Sequence, residues 1–239
     1  MSAPLAPSTA PSPARGLVLA LDAAASLGTI AVLRDGRGVA ERVVEMKSNA
    51  DERFFPAILD TLRDAGAEPR LLDAVVCGAG PGSFTSLRVV GAIAKGLAVG
   101  GALPLFAVPS LALIVAADAT TTGAGRWLAT LDAMRGDRYL ALVTSAADGS
   151  IERVESLGLA PADQTAARAQ ALGATAIGPD EPRRAMPHAR GVVRALALVA
   201  AAGPVDVGRW EPVYGRLAEA QVKWEAEHGR ALVAERFAS

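Results

Sequence analysis

The run Gly78-Ala-Gly-Pro-Gly-Ser-Phe-Thr-Ser-Leu-Arg88 holds the densest potential chemistry in the chain. A glycine-rich turn between a strand and a helix can free backbone N–H groups to point outward at the helix N-terminus. Such groups, with the helix dipole behind them, suit an anion. Gly80, Gly82, Ser83 and Thr85 are the candidate contacts for an anion or nucleotide. The run is not a Walker A loop, because the Gly-Lys-Ser/Thr ending is missing, and the Gly-x-Gly-x-x-Gly dinucleotide spacing is broken. A second reading stands beside the first: a tight strand-to-helix turn needs glycine for positive φ whatever it binds.

Other reactive side chains are few. Ser83 could act as a nucleophile only with a base to activate it, and no histidine stands at a predictable position near it. His188 and His228 lie forty residues apart without neighbouring acidic or cysteine clusters, so no metal site is expected and each reads as a solvated or capping histidine. The single cysteine, Cys77, sits in an apolar stretch and reads as an inert buried thiol in a reducing compartment. Arg135-Gly-Asp137 reads as a hairpin turn. No catalytic residue and no cofactor is assigned.

Composition narrows the class. With 239 residues, 51% hydrophobic and 21% charged, the chain can bury a core over one or two domains. Net charge is −1, which leaves little surplus for neutralising phosphates, so any nucleic-acid contact is expected to be shared with a partner. The mean hydropathy of +0.29 owes much to alanine. Residues 96–117 lack charge and could span a bilayer by length, but Gly100, Gly101, Pro104 and Pro109 interrupt them. Residues 1–15 are rich in Pro, Ala and Ser without an apolar segment, which predicts a disordered leader and no secretory signal.

The elements that would position the glycine turn follow from periodicity. Residues 17–21 form an apolar run ending at Asp22, as a central strand would. Residues 29–34 and 39–46 flank Asp35-Gly36 and predict a hairpin, so three strands form an antiparallel meander. Phe54, Phe55, Ile58, Leu59 and Leu62 repeat with helical spacing up to about Gly66, with an N-cap from Asn49 or Ser48 and a kink at Pro56. A strand over 72–77 leads into the glycine turn, a helix over 86–99 follows, and 105–108 is a further strand. That helix is rich in Gly and Ala, which weakens it by propensity and implies close packing.

From Ser110 a weaker version of this order starts again. Residues 110–119 read as a helix and 127–132 as a strand. Residues 138–145 and 151–157 pair across Asp148-Gly149; 175–177 is a short strand, and 190–202 an Ala-rich helix. A polar helical tail over 217–237 has Trp224 and Leu232 as anchors. The expected division is a leader (1–15), a first RNase H-like lobe (16–106), a smaller second lobe (107–215) and a tail (216–239).

The order β-β-β-α-β-α-β resembles the repeated half of the actin, Hsp70 and sugar-kinase superfamily, which implies an α/β, two-lobed ASKHA (RNase H-like) fold of mixed sheets flanked by helices. Gly80-Pro-Gly-Ser-Phe-Thr-Ser-Leu-Arg88 with Ala94-Lys-Gly-Leu-Ala98 resembles the signature of the TsaB (YeaZ) family. Phe55-Pro-Ala-Ile58, Pro104-Leu-Phe-Ala-Val-Pro-Ser-Leu111, Asp132-Ala-Met-Arg-Gly-Asp-Arg-Tyr139 and Pro212-Val-Tyr-Gly-Arg216 match it in the same order. The resemblance implies a non-catalytic subunit in the synthesis of N6-threonylcarbamoyladenosine at adenosine 37 of tRNAs reading ANN codons. It implies a TsaD-type catalytic partner in a cytoplasmic heterodimer, a TsaE-type ATPase, tRNA reached through the complex, no membrane, and a homodimer when the chain is alone. The partner interface is expected at Phe54, Phe55, Ile58 and Leu62 of the first helix and at Phe84, Leu87, Arg88, Gly91 and Lys95 of the second. The alternative is that the same faces cover their own sheet.

The sequence departs from the family at three places. Asp22-Ala-Ala-Ala-Ser26 lacks the hydroxyls usual in that turn, Asn49-Ala-Asp-Glu52 lacks the histidine of His-Ser-Glu, and Ser86 replaces a glycine. In phosphotransferases of the superfamily the first of these turns binds phosphate. The alanines therefore weigh against the competing reading, a small ATP-dependent sugar- or acetate-kinase-like enzyme. A peptidase, as some relatives have been called, would need a nucleophile–base pair or metal ligands that the sequence does not offer.

Overall fold

The computed structural model describes residues 11–46 and 50–214. β1 (Leu17–Asp22) is apolar at all but its last position and buried throughout, as a strand covered on both faces requires. β2 (Leu27–Arg34) and β3 (Arg37–Glu45) complete the antiparallel meander. Asp35 and Gly36, at φ 48° and 74°, make the tight turn between them. α1 (Ala50–Asp64), β4 (Ala74–Gly78), α2 (Phe84–Gly101) and β5 (Leu105–Val108) follow. β4 runs parallel to β1 and β5 parallel to β4, giving the sheet order β3-β2-β1-β4-β5.

α3 (Ser110–Ala117) then leads into a second sheet of β6 (Gly125–Asp132), β7 (Asp137–Ser145), β8 (Ile151–Pro161), β9 (Thr175–Gly178) and β10 (Arg183–Arg184). Read from the β8 edge its order is β8-β7-β6-β9-β10, the same permutation as the first. α4 (Thr165–Ala171) follows this meander as α1 follows the first, and α5 (Val192–Ala202) follows β10 as α3 follows β5. The counterpart of α2 is replaced by residues 179–182. That omission, with α4 at 7 residues against 15 in α1, makes the second half smaller in helix content.

The pleat sorts the core into layers. Leu17, Leu19, Leu21, Val75 and Cys77 face α1 and α2, while Val18, Ala20, Ala74 and Val76 face the opposite way. On that inner side α3 and α5 lie between the two sheets, against Ala129, Leu131, Ala141, Val143 and Ile177 of the second. Leu128, Leu140 and Ala160 pack outward against Ala169 of α4.

Several details differ from the sequence-based expectation. α2 begins at Phe84, two residues before the predicted start, and α5 is preceded by a 3-10 turn over Ala189–Gly191. α4 and β10 were not anticipated; with only Thr165 and Ala169 buried, α4 is too short to display an apolar stripe. Residues 11–15 of the expected leader include a turn with Pro13 buried. Residues 1–10, the predicted caps Ser48 and Asn49, and the predicted tail with Trp224 and Leu232 lie outside the described residues. Among the described residues no helix is long and apolar enough to cross a membrane.

Candidate functional site

The glycine turn joins β4 to α2 and lies against the end of β1. Ala79 N–H donates to Val108 O at 2.8 Å, and Ser83 N–H donates to Ala24 O at 2.8 Å. Gly80 N–H donates to Ser110 Oγ at 3.0 Å, and Ser110 Oγ donates in turn to Asp22 Oδ2 at 2.5 Å. These three N–H groups, those of the candidate contacts Gly80 and Ser83 included, face the chain itself, so the tight-turn reading accounts for them. Gly80 has φ +81°, which a side chain rarely adopts, and a Cβ on Gly82 would overlap the Ala24 backbone. Ser83 and Thr85 are exposed at the start of α2. Ser83 Oγ lies 3.0 Å from Ser86 Oγ, and among the described residues no base is paired with it.

Asp22 is fully buried, with Oδ1 accepting from Ala24 N–H at 3.1 Å. Burial pushes its carboxyl up from 3.8 to about 6, against the opposing pull of the Ser110 and Ala24 hydrogen bonds. Burial, with the nearby Asp22 carboxylate, also pushes the Cys77 thiol well above its ordinary range.

A second motif closes over the first. Val213 N–H donates to Ala79 O at 2.7 Å, and a Cβ on Gly91 would stand 3.0 Å from the Pro212 ring. The Tyr214 ring packs on Phe84 with centroids 4.7 Å apart, and Tyr139 Oη donates to Tyr214 O at 3.2 Å. The segment 210–214 thus straps the first half of α2, joining sequence motifs around 80–88, 132–139 and 212–214. Gly91, expected to admit a partner helix, is covered by this strap.

The helices sort their predicted interface residues cleanly. Phe54, Ile58 and Leu62 are buried in the chain's own core, and Phe54 lies against Gly28 and Met46. For these three the stripe covers its own sheet. Phe55 faces out at 42% exposure. On α2, Leu87 is buried and Phe84 and Lys95 are half-buried, while Arg88 is exposed with its guanidinium 5.3 Å from the Phe84 ring centre. The outward face of α2 carries Thr85, Arg88, Ala92, Gly96 and Val99 at helical spacing. Ala92 and Gly96 belong to the small residues that imply close packing in this helix, and with Val99 they lie outside the expected interface set.

Among the described residues no group of three or more His, Cys, Asp or Glu side chains gathers as a metal site. His188 caps the turn before α5, its Nδ1 accepting from Arg190 N–H at 3.1 Å. Arg135 and Gly136 form a hairpin tip at positive φ.

Two sheets of the same strand order, two helices between them, and a glycine turn meeting the end of β1 define a two-lobed protein of the actin/Hsp70/sugar-kinase class. The family model described as TsaD: tRNA N6-adenosine threonylcarbamoyltransferase matches residues 37–178, and the chain belongs to that family. The chain is 34% identical over 124 residues to the tRNA threonylcarbamoyladenosine biosynthesis protein TsaB of Escherichia coli, covering 52% of this chain and 53% of the relative. It is 35% identical over 99 residues to the protein of the same name from Bacillus subtilis, covering 41% and 43%. The chain therefore spans about half the length of the curated relatives it matches. YeaZ from Pseudomonas aeruginosa shares the fold, with a TM-score of 0.65 at 24% identity over 83% of this chain and 99% of that one. A crystal structure of an uncharacterized protein with similarity to peptidase YeaZ from Pseudomonas aeruginosa gives 0.68 at 25% identity, covering 84% and 100%. These relatives bear out the resemblance to TsaB and YeaZ read from the motifs.

Proposed function

We propose that the chain is a TsaB-like partner subunit without a catalytic group of its own. It binds and supports a TsaD-type catalytic subunit in the cytoplasm. The complex transfers threonylcarbamoyl from threonylcarbamoyl-AMP to N6 of adenosine 37 in tRNAs reading ANN codons, with a TsaE-type ATPase and tRNA joining through the assembly.

The outer face of α1 and α2 carries this reading. Val99 is 71% exposed and Phe55 42% exposed, and Ala92 and Gly96 lie along the same α2 face. Small residues at helical spacing let another helix approach closely, and the two large apolar side chains supply area to bury. The glycine motif suits a supporting role, because its turn is spent on the chain's own backbone at Ala24 and Ser110. An anion or nucleotide at Ser83 and Thr85 belongs to the assembled complex under this reading.

The test is co-purification with the TsaD-type protein of the same organism, with tRNA threonylcarbamoylation assayed for each protein alone and for both. Co-elution and activity that needs both are the expected result. Absence of binding, with the TsaD-type protein active by itself, would overturn the proposal. A kinase-like enzyme would instead be stabilised by Mg-ATP in a thermal-shift assay of the isolated chain.

A further inference from the structure

We infer that the recess bounded by Pro179, Arg184, Ala185, Met186, His188 and Arg190 is a binding site for a phosphate group. The recess has a volume of about 440 Å³, and its lining contains two guanidinium groups and an imidazole but no carboxylate. It lies beyond the carboxyl ends of β9 and β10, between the short connection that replaces α2 in the second half and the start of α5. The inference goes beyond the partner-subunit reading and does not rest on it.

Of the lining groups, His188 and Arg184 are the available donors, and Arg190 orders the wall between them. His188 Nδ1 accepts from Arg190 N–H, so the neutral ring carries its proton on Nε2. Burial, and then the Arg190 charge, hold the His188 pKa below its ordinary value, which keeps the ring neutral and the tautomer defined. Among the described residues Nε2 has no protein partner, yet it is not among the sealed, unpaired polar atoms. Nε2 therefore keeps solvent contact, on a ring that lines the recess. Arg190 is anchored by Nε and Nη2 on Ala117 O at 3.3 and 3.2 Å, with Glu41 3.4 Å from Nη1.

Arg184 completes the set. It is exposed at the end of β10 and has no partner among the described residues. The neighbouring arginines are committed elsewhere. Arg183 stacks on Trp127 at 4.9 Å and pairs with Asp118, and Arg194 donates to the carbonyls of Gly149, Val115, Ala116 and Asp118. A guanidinium with unspent donors beside an imidazole N–H matches the several acceptor oxygens of a phosphate. The phosphate can come from a small phosphorylated compound or from a nucleic-acid backbone.

The experiment uses the full chain with ¹⁵N-labelled histidine, the His188 ring being assigned by its persistence in His228→Gln. Inorganic phosphate is titrated against chloride at matched ionic strength, followed by a short single-stranded RNA. The expected result is a saturable shift of the Nε2 resonance, weakened about tenfold in Arg184→Ala and unchanged in Arg126→Ala, as for loss of one charge-assisted hydrogen bond. A response to both ligands supports the site with a backbone source. A response to phosphate alone supports it with a small-molecule source. No saturable shift with either ligand, or one undiminished in Arg184→Ala, overturns the inference.

Discussion

Ser110 Oγ lies 2.5 Å from Asp22 Oδ2 and donates to it, while accepting from Gly80 N–H at 3.0 Å. Ser110 N–H returns a bond to Gly80 O at 3.0 Å. One hydroxyl therefore ties together the ends of β1, β4 and β5, the three parallel strands of the first sheet. The glycine turn is fixed in place by this node and by the Ser83–Ala24 bond, and α2 starts from a rigid base.

The node predicts a pH dependence. The Asp22 carboxyl titrates at about 6 in the fold against 3.8 ordinarily, because burial disfavours its charge. Its contribution to stability is therefore fully present below 3.8 and is lost as pH rises through 6. The loss is about 3 kcal/mol. Urea unfolding at pH 4 and pH 7 should find Asp22→Asn gaining about that much relative to the parent chain at the higher pH. An equal difference at both values would contradict the assignment.

Two glycines should respond in opposite directions. A methyl at Gly82 meets the Ala24 backbone, which cannot move aside without disturbing β1, whereas Gly96 on α2 has nothing within 4 Å. Gly82→Ala is expected to cost about 3 kcal/mol. Gly96→Ala is expected to gain about 0.5–1 kcal/mol, by removing backbone freedom from the unfolded chain. Melting temperatures of the two variants decide this directly.

Neighbouring phenylalanines on α1 separate folding from binding. Phe54 is fully buried and Phe55 is 42% exposed. Phe54→Ala should cost about 3–5 kcal/mol of stability. Phe55→Glu should leave the circular dichroism and unfolding midpoint nearly unchanged but abolish co-purification with the TsaD-type protein. Retained binding by a folded Phe55→Glu would remove α1 from the proposed interface.

Cys77 should resist alkylation. It is fully buried in the β4 strand, and its thiolate is disfavoured both by desolvation and by Asp22. Iodoacetamide at pH 8 is expected to modify the native chain only as fast as it unfolds, and the denatured chain at once. Rapid modification of folded protein, followed by mass spectrometry, would count against this placement.

Much of the architecture was legible from residue order. The apolar run at β1, the Asp35-Gly36 and Asp148-Gly149 turns and the Gly78–Gly82 spacing reported strands, hairpins and a strand-to-helix turn, because these depend on local periodicity and on backbone freedom. The resemblance to TsaB and YeaZ was equally legible, since it resides in short motifs. Tertiary structure alone decided what each face meets. It buried Phe54, Ile58 and Leu62 while leaving Phe55 outside, and it covered Gly91 with Pro212. It turned Gly80 N–H inward onto a serine thirty residues further along the chain. It also gathered Arg184, His188 and Arg190 around one recess. Periodicity states which side chains share a face, but the partner of that face comes from distant segments, and no local spacing encodes their approach.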